Sequence, residues 1–239
     1  MGFDRPMTRA LSALAAPLCV TLCLTSVGCS ATTAGTATPA APGPQVGPGA
    51  LPGLLLSAAD VQTVLASPQL VVTGEVSAPW HELGQLGDPD CLAIAGAAQR
   101  EVYSGSGWTA LRGQVLREPP AATSWSHYAV QAVVLFPAAT AAADFFTASQ
   151  SGWARCADRE LTYAQQPAPE QVWSVGPTTV DRDVLAVSRV QRSPQRWACQ
   201  RALTVHGNAA IDVEACSLDG NTPAATAIAR SISDRLPSA

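Results

Sequence analysis

Residues 197–217 read Trp197-Ala-Cys199-Gln-Arg201-Ala-Leu-Thr-Val-His206-Gly207-Asn208-Ala209-Ala-Ile-Asp-Val-Glu214-Ala-Cys216-Ser217. Two runs of similar length flank Gly207-Asn208, a pair suited to a two-residue primed turn because both residues tolerate positive φ. With that turn His206 faces Ala209, and every other opposition follows. Cys199 then stands across from Cys216, and Arg201 across from Glu214. Counting outward from a hydrogen-bonded 206/209 pair makes 199/216 a non-hydrogen-bonded pair, whose Cα atoms lie about 4.5 Å apart. That is inside the disulfide range of about 4.4–6.8 Å. Arg201 and Glu214 share a face and form a favourable cross-strand pair. The stretch is an antiparallel hairpin closed by its own disulfide.

The chain has seven cysteines. With Cys199 and Cys216 paired, Cys91 and Cys156 are left to pair with each other in the globular part, by elimination among three possible connectivities. No CxxC occurs, and His81, His127 and His206 are scattered, so a zinc site is not expected and no cofactor is called for.

Outward from the hairpin the elements alternate. Ser57-Ala-Ala-Asp60 resembles a capping box with Asp in place of Glu, and Val61, Val64 and Leu65 follow at helical spacing until Pro68. Residues 70–76 read as a strand and 88–98 as a short helix starting near Asp88. Strands are expected over 108–117 and 127–136, the second central and buried on both faces. Pro137 suits a first helical position. Phe145, Phe146, Ser149, Trp153 and Cys156 then recur at helical spacing to about residue 158. Two or more strands fall between 160 and 191. A last helix opens at Thr222-Pro223 with Ala225, Ile228, Ala229, Ile232 and Leu236 on one stripe. The fold class is α+β: a mainly antiparallel sheet flanked by helices, a single domain with two disulfides. The Cys91–Cys156 bond ties the short helix to the end of the long one.

The remaining three cysteines, Cys19, Cys23 and Cys29, lie in the apolar N-terminus. Residues 1–28 read as a lipoprotein signal peptide, with Arg5 and Arg9 before an Ala/Leu-rich run. Met7 would make a cleaner start than Met1. Leu24-Thr-Ser-Val-Gly-Cys29 ends the run and makes Cys29 the lipid anchor, with Ser26 standing where a lipobox usually has Leu. The expected place is the outer face of the cell membrane, or secretion if that box is not used. Residues 29–50 form an Ala/Thr/Pro/Gly-rich tether whose composition cannot bury enough surface to fold. Its Thr32, Thr33, Thr36 and Thr38 are candidates for O-glycosylation. Residues 51–239 make one domain, large enough for its own core. All 14 basic residues are Arg, and the net charge is −4 with no basic stripe, so nucleic acid is not an expected partner.

No catalytic constellation stands out. A Ser-His-Asp triad can be composed on paper from His127 or His206, but no nucleophile elbow accompanies it. The carboxylate pairs Asp88/Asp90 and Asp181/Asp183 read as solvated turn residues or caps. Six Trp among 13 aromatics is unbalanced; most belong in a core, with Trp80 and Trp125 the two expected at the surface. Tyr103, Trp108, Arg112 and Gln114 are candidates for the rim of a ligand cleft. The alternative for the Gly/Ser stretch 103–108 is a turn without a ligand role.

Four blocks occur in order: Tyr103-Ser-Gly-Ser-Gly-Trp108-Thr-Ala-Leu-Arg112-Gly-Gln114-Val, Gln131-Ala-Val-Val-Leu-Phe-Pro137, Trp197-Ala-Cys-Gln-Arg201-Ala-Leu and Ile211-Asp-Val-Glu-Ala-Cys216. From about Leu54 to Leu236 the chain resembles the extracellular sensor domain of mycobacterial PknH-type serine/threonine protein kinases, a family also found as stand-alone lipoproteins. The resemblance implies a sheet flanked by helices, two disulfides at positions this chain shares, and a cleft for an unidentified ligand. The chain has no kinase domain and no Lys, so any signalling role is indirect. The expected function is a non-catalytic sensor or ligand-binding domain on an envelope lipoprotein. Its expected partners are the membrane, through the lipid, and a small or envelope-derived ligand. The alternative is a structural protein docking on another envelope protein.

Overall fold

A computed structural model describes residues 45–81, 85–119, 125–164, 169–194, 196–218, 220 and 223–237. The signal stretch, Cys29, most of the tether and Thr222 lie outside them. In chain order the elements are α1 (Leu51–Leu54), α2 (Ala58–Leu65), β1 (Val71–Val76), β2 (Gln85–Leu86), α3 (Leu92–Ala95), α4 (Arg100–Tyr103), β3 (Ala110–Arg117) and β4 (His127–Leu135). Then come α5 (Ala139–Arg155), β5 (Glu160–Ala164), β6 (Gln171–Asp181), β7 (Val184–Gln191), β8 (Ala198–His206), β9 (Ala209–Ser217) and α6 (Ala224–Ser233). Short 3-10 turns precede α1 at Pro48–Ala50 and α3 at Pro89–Cys91.

The hairpin has the expected register. His206 pairs Ala209, Cys199 pairs Cys216 and Arg201 pairs Glu214. Gly207 has φ +56° while Asn208 stays at negative φ, the pattern of a type II′ turn. Both disulfides are present, with Cα separations of 4.0 Å for Cys199–Cys216 and 5.6 Å for Cys91–Cys156. Among the described residues nine strands form one sheet in the order β1-β3-β4-β9-β8-β7-β6-β5-β2, every neighbouring pair antiparallel. β4 is interior, and Ala129–Leu135 are all buried.

Alternation along the strands splits the core into two layers. Leu116, Ala129, Val133, Ile211, Val213 and Ala202 face α1, α2 and α6. Val115, Val130, Ala132, Val134, Ala210 and Leu203 face α5 and the α3–α4 segment. α6 buries the expected stripe: Ala225, Ile228, Ala229 and Ile232 are fully inaccessible. α2 carries the full capping box, Ser57 accepting from the Asp60 amide and Asp60 accepting from the Ser57 amide. Helix α2 stops at Leu65, and Ala66 turns left-handed just before Ser67-Pro68.

Four expectations change. The fold begins at Val46, not at residue 51: the Asn208 side-chain amide accepts from the Val46 N–H at 2.8 Å and donates to its carbonyl at 3.1 Å. A segment too poor in apolar side chains to order itself is thus ordered by a tertiary clasp. α5 starts at Ala139, two residues after Pro137. Trp80 is buried, its ring lying against Gly113, where an added Cβ would come within 2.8 Å of it. Only Trp125 of the two singled-out tryptophans is exposed, at 43%. Finally, Arg201 and Glu214 oppose each other without pairing. Arg201 reaches diagonally to Asp212, 2.7 Å away, and Glu214 pairs with Arg189 arriving from β7.

Candidate functional site

Between α5 and the segment Pro89–Ser106 lies an open cleft of about 580 Å³. One wall is a stripe of α5, from Ala141 through Asp144, Phe145, Ala148 and Ser149 to Gly152 and Trp153. At 1.5 Å per residue this stripe is about 18 Å long. The opposite wall is Pro89, Asp90, Leu92 and Ala93, then Glu101 and Val102, then the tip Ser104-Gly105-Ser106. Gly105 and Gly107 have φ of +74° and +77°, so the tip needs glycine to turn where it does. The Cys91–Cys156 disulfide staples the two walls at one end, with the Cys156 sulfur 3.8 Å from the Asp90 carbonyl.

The cleft rests on a buried ionic layer. Arg201 donates from Nε and Nη2 to the Ala93 carbonyl and from Nη1 to the Val213 carbonyl, and its guanidinium lies 5.2 Å from the Trp153 ring centre. Arg189 donates to the Ile94 carbonyl and pairs with Glu214. Asp212 accepts from the Ala98 amide at 2.8 Å and the Tyr103 hydroxyl at 3.0 Å. Burial, and after it the Asp212 charge, push the Tyr103 hydroxyl well above its ordinary pKa, so it remains a donor. Tyr103 stacks on Phe145 at 4.8 Å. The last carbonyls of the one-turn helix α3 are thereby satisfied by arginines from the sheet, and this fixes the wall bearing Leu92 and Ala93.

The four residues expected at a rim do not come together. Tyr103 is fully buried beneath the cleft, and Trp108 is half-buried against the same core layer. Arg112 and Gln114 lie on the other face of β3, where both bind Glu75 of β1. The residues that do line the cleft carry other sequence signals: Asp90 reads as a turn carboxylate, and Phe145, Ser149 and Trp153 as an amphipathic helix stripe. The signal was present in α5, whose stripe holds Asp144, Ser149 and Gly152 beside its aromatics, more polar and smaller than a buried face requires. The pairing of Cys91 with Cys156 also placed two walls side by side.

His127 sits in a cluster with Ser126 and Glu118. Its Nδ1 lies 2.9 Å from the Ser126 hydroxyl and 3.0 Å from Glu118, which also accepts from that hydroxyl at 2.8 Å. A relay needs serine on one ring nitrogen and the acid on the other; here both crowd one nitrogen. The group Cys199, Glu214 and Cys216 has ligand chemistry, but both sulfurs are in the disulfide. Burial works to raise the Glu118 carboxyl, but hydrogen bonds from Ser126 and from the His127 ring and amide outweigh it and hold its pKa below the ordinary 4.5. A depressed pKa contributes stability above the unfolded value and loses it as pH falls through the folded one. Glu118→Gln is therefore expected to lower stability at pH 7 by about 1–3 kcal/mol. The deficit should shrink below about pH 4.5. Paired urea titrations at pH 7 and pH 3.5 check this, and a deficit independent of pH would contradict it.

A family model described as the PknH-like extracellular domain matches residues 46–235. Serine/threonine-protein kinase PknH of Mycobacterium bovis is 30% identical over 166 residues, 70% of this chain and 27% of the kinase. PknH of Mycobacterium tuberculosis gives the same identity over 70% of this chain and 26% of its own length. The chain thus spans about a quarter of the curated relatives it matches. The crystal structure of the extracellular domain of PknH from Mycobacterium tuberculosis superposes with a TM-score of 0.75 at 30% identity, covering 80% of this chain and 97% of that one. The matched region is the extracellular domain of a kinase, which fits an extracytoplasmic place, and no helix among the described residues is long and apolar enough to cross a membrane. From Val46, where the Asn208 clasp begins the fold, to Arg235, this chain belongs to the PknH-like extracellular domain family.

Proposed function

We propose that this protein is a cell-envelope lipoprotein, held at Cys29, whose domain is a non-catalytic sensor or carrier taking a small or envelope-derived ligand in the α5 cleft. The observation that carries the reading is the cleft itself: apolar walls with a few polar groups, and one end covalently fixed. That is the usual make-up of a small-molecule site. Native mass spectrometry of the protein gently extracted from its own host's envelope tests both parts. A reproducible mass beyond the acylated, doubly oxidised chain is expected, and its fragments identify the ligand. A bare chain, together with no thermal shift from envelope lipid, glycan or muropeptide extracts, would remove the ligand. An unacylated Cys29 would remove the anchor.

A second reading, docking on another envelope protein, is favoured by β1. It stands at one end of the strand order and carries Val71 and Val72, 40% and 37% exposed. Cross-linking in cells to one specific protein through β1 would support it.

A further inference from the structure

We propose that the ligand of the α5 cleft carries an amine, its positive charge drawn by the unpaired lining carboxylates Asp90 and Asp144, with an apolar body lying on Phe145, Trp153 and Leu92. This rests on the cleft being the binding site. The cavity is the site, and its lining decides the charge of the occupant. Every titratable lining residue is a carboxylate: Asp90, Glu101 and Asp144. Glu101 already has a partner in His81 at 2.6 Å. Asp90 and Asp144 pair with no cation among the described residues, and no Arg or His lines the cleft.

The hydroxyls point the same way. Ser106 donates its proton to the Tyr103 carbonyl and Ser149 donates its proton to the Phe145 carbonyl. Both hydroxyl protons are turned into the walls, and only lone pairs are left for a ligand. Apart from the Ser104 hydroxyl and the Trp153 indole N–H, the polar lining side chains offer acceptors alone. Among the lining side chains an anion would find two donors against three carboxylates. An ammonium brings three donors and a positive charge, and charge-assisted hydrogen bonds to carboxylates are the strong kind. The walls between the polar groups are Pro89, Leu92, Ala93, Val102, Phe145 and Trp153, which call for a chain or ring with no polar atoms.

Three probes of one chain length test this on the purified protein at pH 7: octylamine, octanol and octanoate. Binding is followed by amide chemical shifts along α5 and by titration. Octylamine is expected to bind at least tenfold more tightly than octanol, with octanoate the weakest. Asp90→Asn combined with Asp144→Asn should bring octylamine to the level of octanol. Asp183→Asn, an exposed turn carboxylate far along the chain, changes the net charge by one and should leave the preference intact. The proposal falls if octanoate binds as well as octylamine, if the double variant keeps the amine preference, or if none of the three moves signals of the cleft. Octanol shifting cleft signals with no amine advantage would overturn the amine and leave the cleft as the binding site.

Discussion

Arg201→Met is expected to cost about 3–5 kcal/mol of folding stability, because it removes the charge facing Asp212 and leaves that carboxylate buried. Arg201 is 2% exposed and Asp212 3%. The substitution keeps most of the volume and the contact with Trp153. What it deletes is an ion pair and the donors to the Ala93 and Val213 carbonyls. Neutralising both ends separates the two losses. Arg201→Met with Asp212→Asn should recover a large part of the deficit, since a neutral amide can still accept from Tyr103 and the Ala98 amide. Urea denaturation of the two variants reads this directly. A single variant losing under about 1 kcal/mol would mean that the Tyr103 hydroxyl and the Ala98 amide suffice to hold the charge. The same variant should loosen the cleft wall at Leu92 and Ala93, seen as faster amide exchange there.

Removing the Cys91–Cys156 bond as Cys91→Ala with Cys156→Ala is expected to cost more than removing Cys199–Cys216 in the same way. The first closes a sequence separation of 65 residues and the second one of 17. Chain entropy puts their contributions at about 4 and about 3 kcal/mol. The consequences also differ in kind. The Cys199–Cys216 hairpin is held by its ladder whether or not the sulfurs are joined. The other bond is the covalent link between the two cleft walls, so its loss should weaken binding of any cleft probe even where the protein stays folded. Thermal melts of both double variants, with probe titrations below the melting range, check the order. Equal losses, or unchanged probe affinity without Cys91–Cys156, would contradict it.

Most of the scaffold was legible because its signals are local. Gly207-Asn208 sets a register, Ser57 and Asp60 close a cap, and the Ala225–Leu236 stripe has a helical period. Each depends on residues a few positions apart. The cleft was not legible, because its walls meet only after the sheet has formed. Asp90 and Asp144 are ordinary in the chain and become unmatched acceptors of one groove only once its walls are brought together. Tyr103 misled for the opposite reason: a tyrosine beside a Gly/Ser turn looks exposed, yet an aspartate on β9 gives its hydroxyl a partner in the core. Trp80 likewise follows a proline in a polar stretch, and nothing local announces the slot over Gly113. Glu214 takes its ionic partner, Arg189, from a third strand, β7, whose position no pairwise register could give, while Arg201 turns to Asp212.

The two-residue turn of the β8–β9 hairpin has a consequence for the order of assembly. Its nine residue pairs close over almost no loop, whereas β4 meets β9 with partners such as Leu135 and Ala209 more than seventy positions apart. Loop closure taxes the second far more than the first. The hairpin is therefore the natural seed, and the remaining strands add to its two sides. Since its disulfide lies inside the seed, oxidative refolding should accumulate a one-disulfide species joined at Cys199–Cys216 before Cys91 finds Cys156. Acid trapping and mapping of that species would show it, and early trapping of Cys91–Cys156 instead would place the seed on the helical side of the sheet.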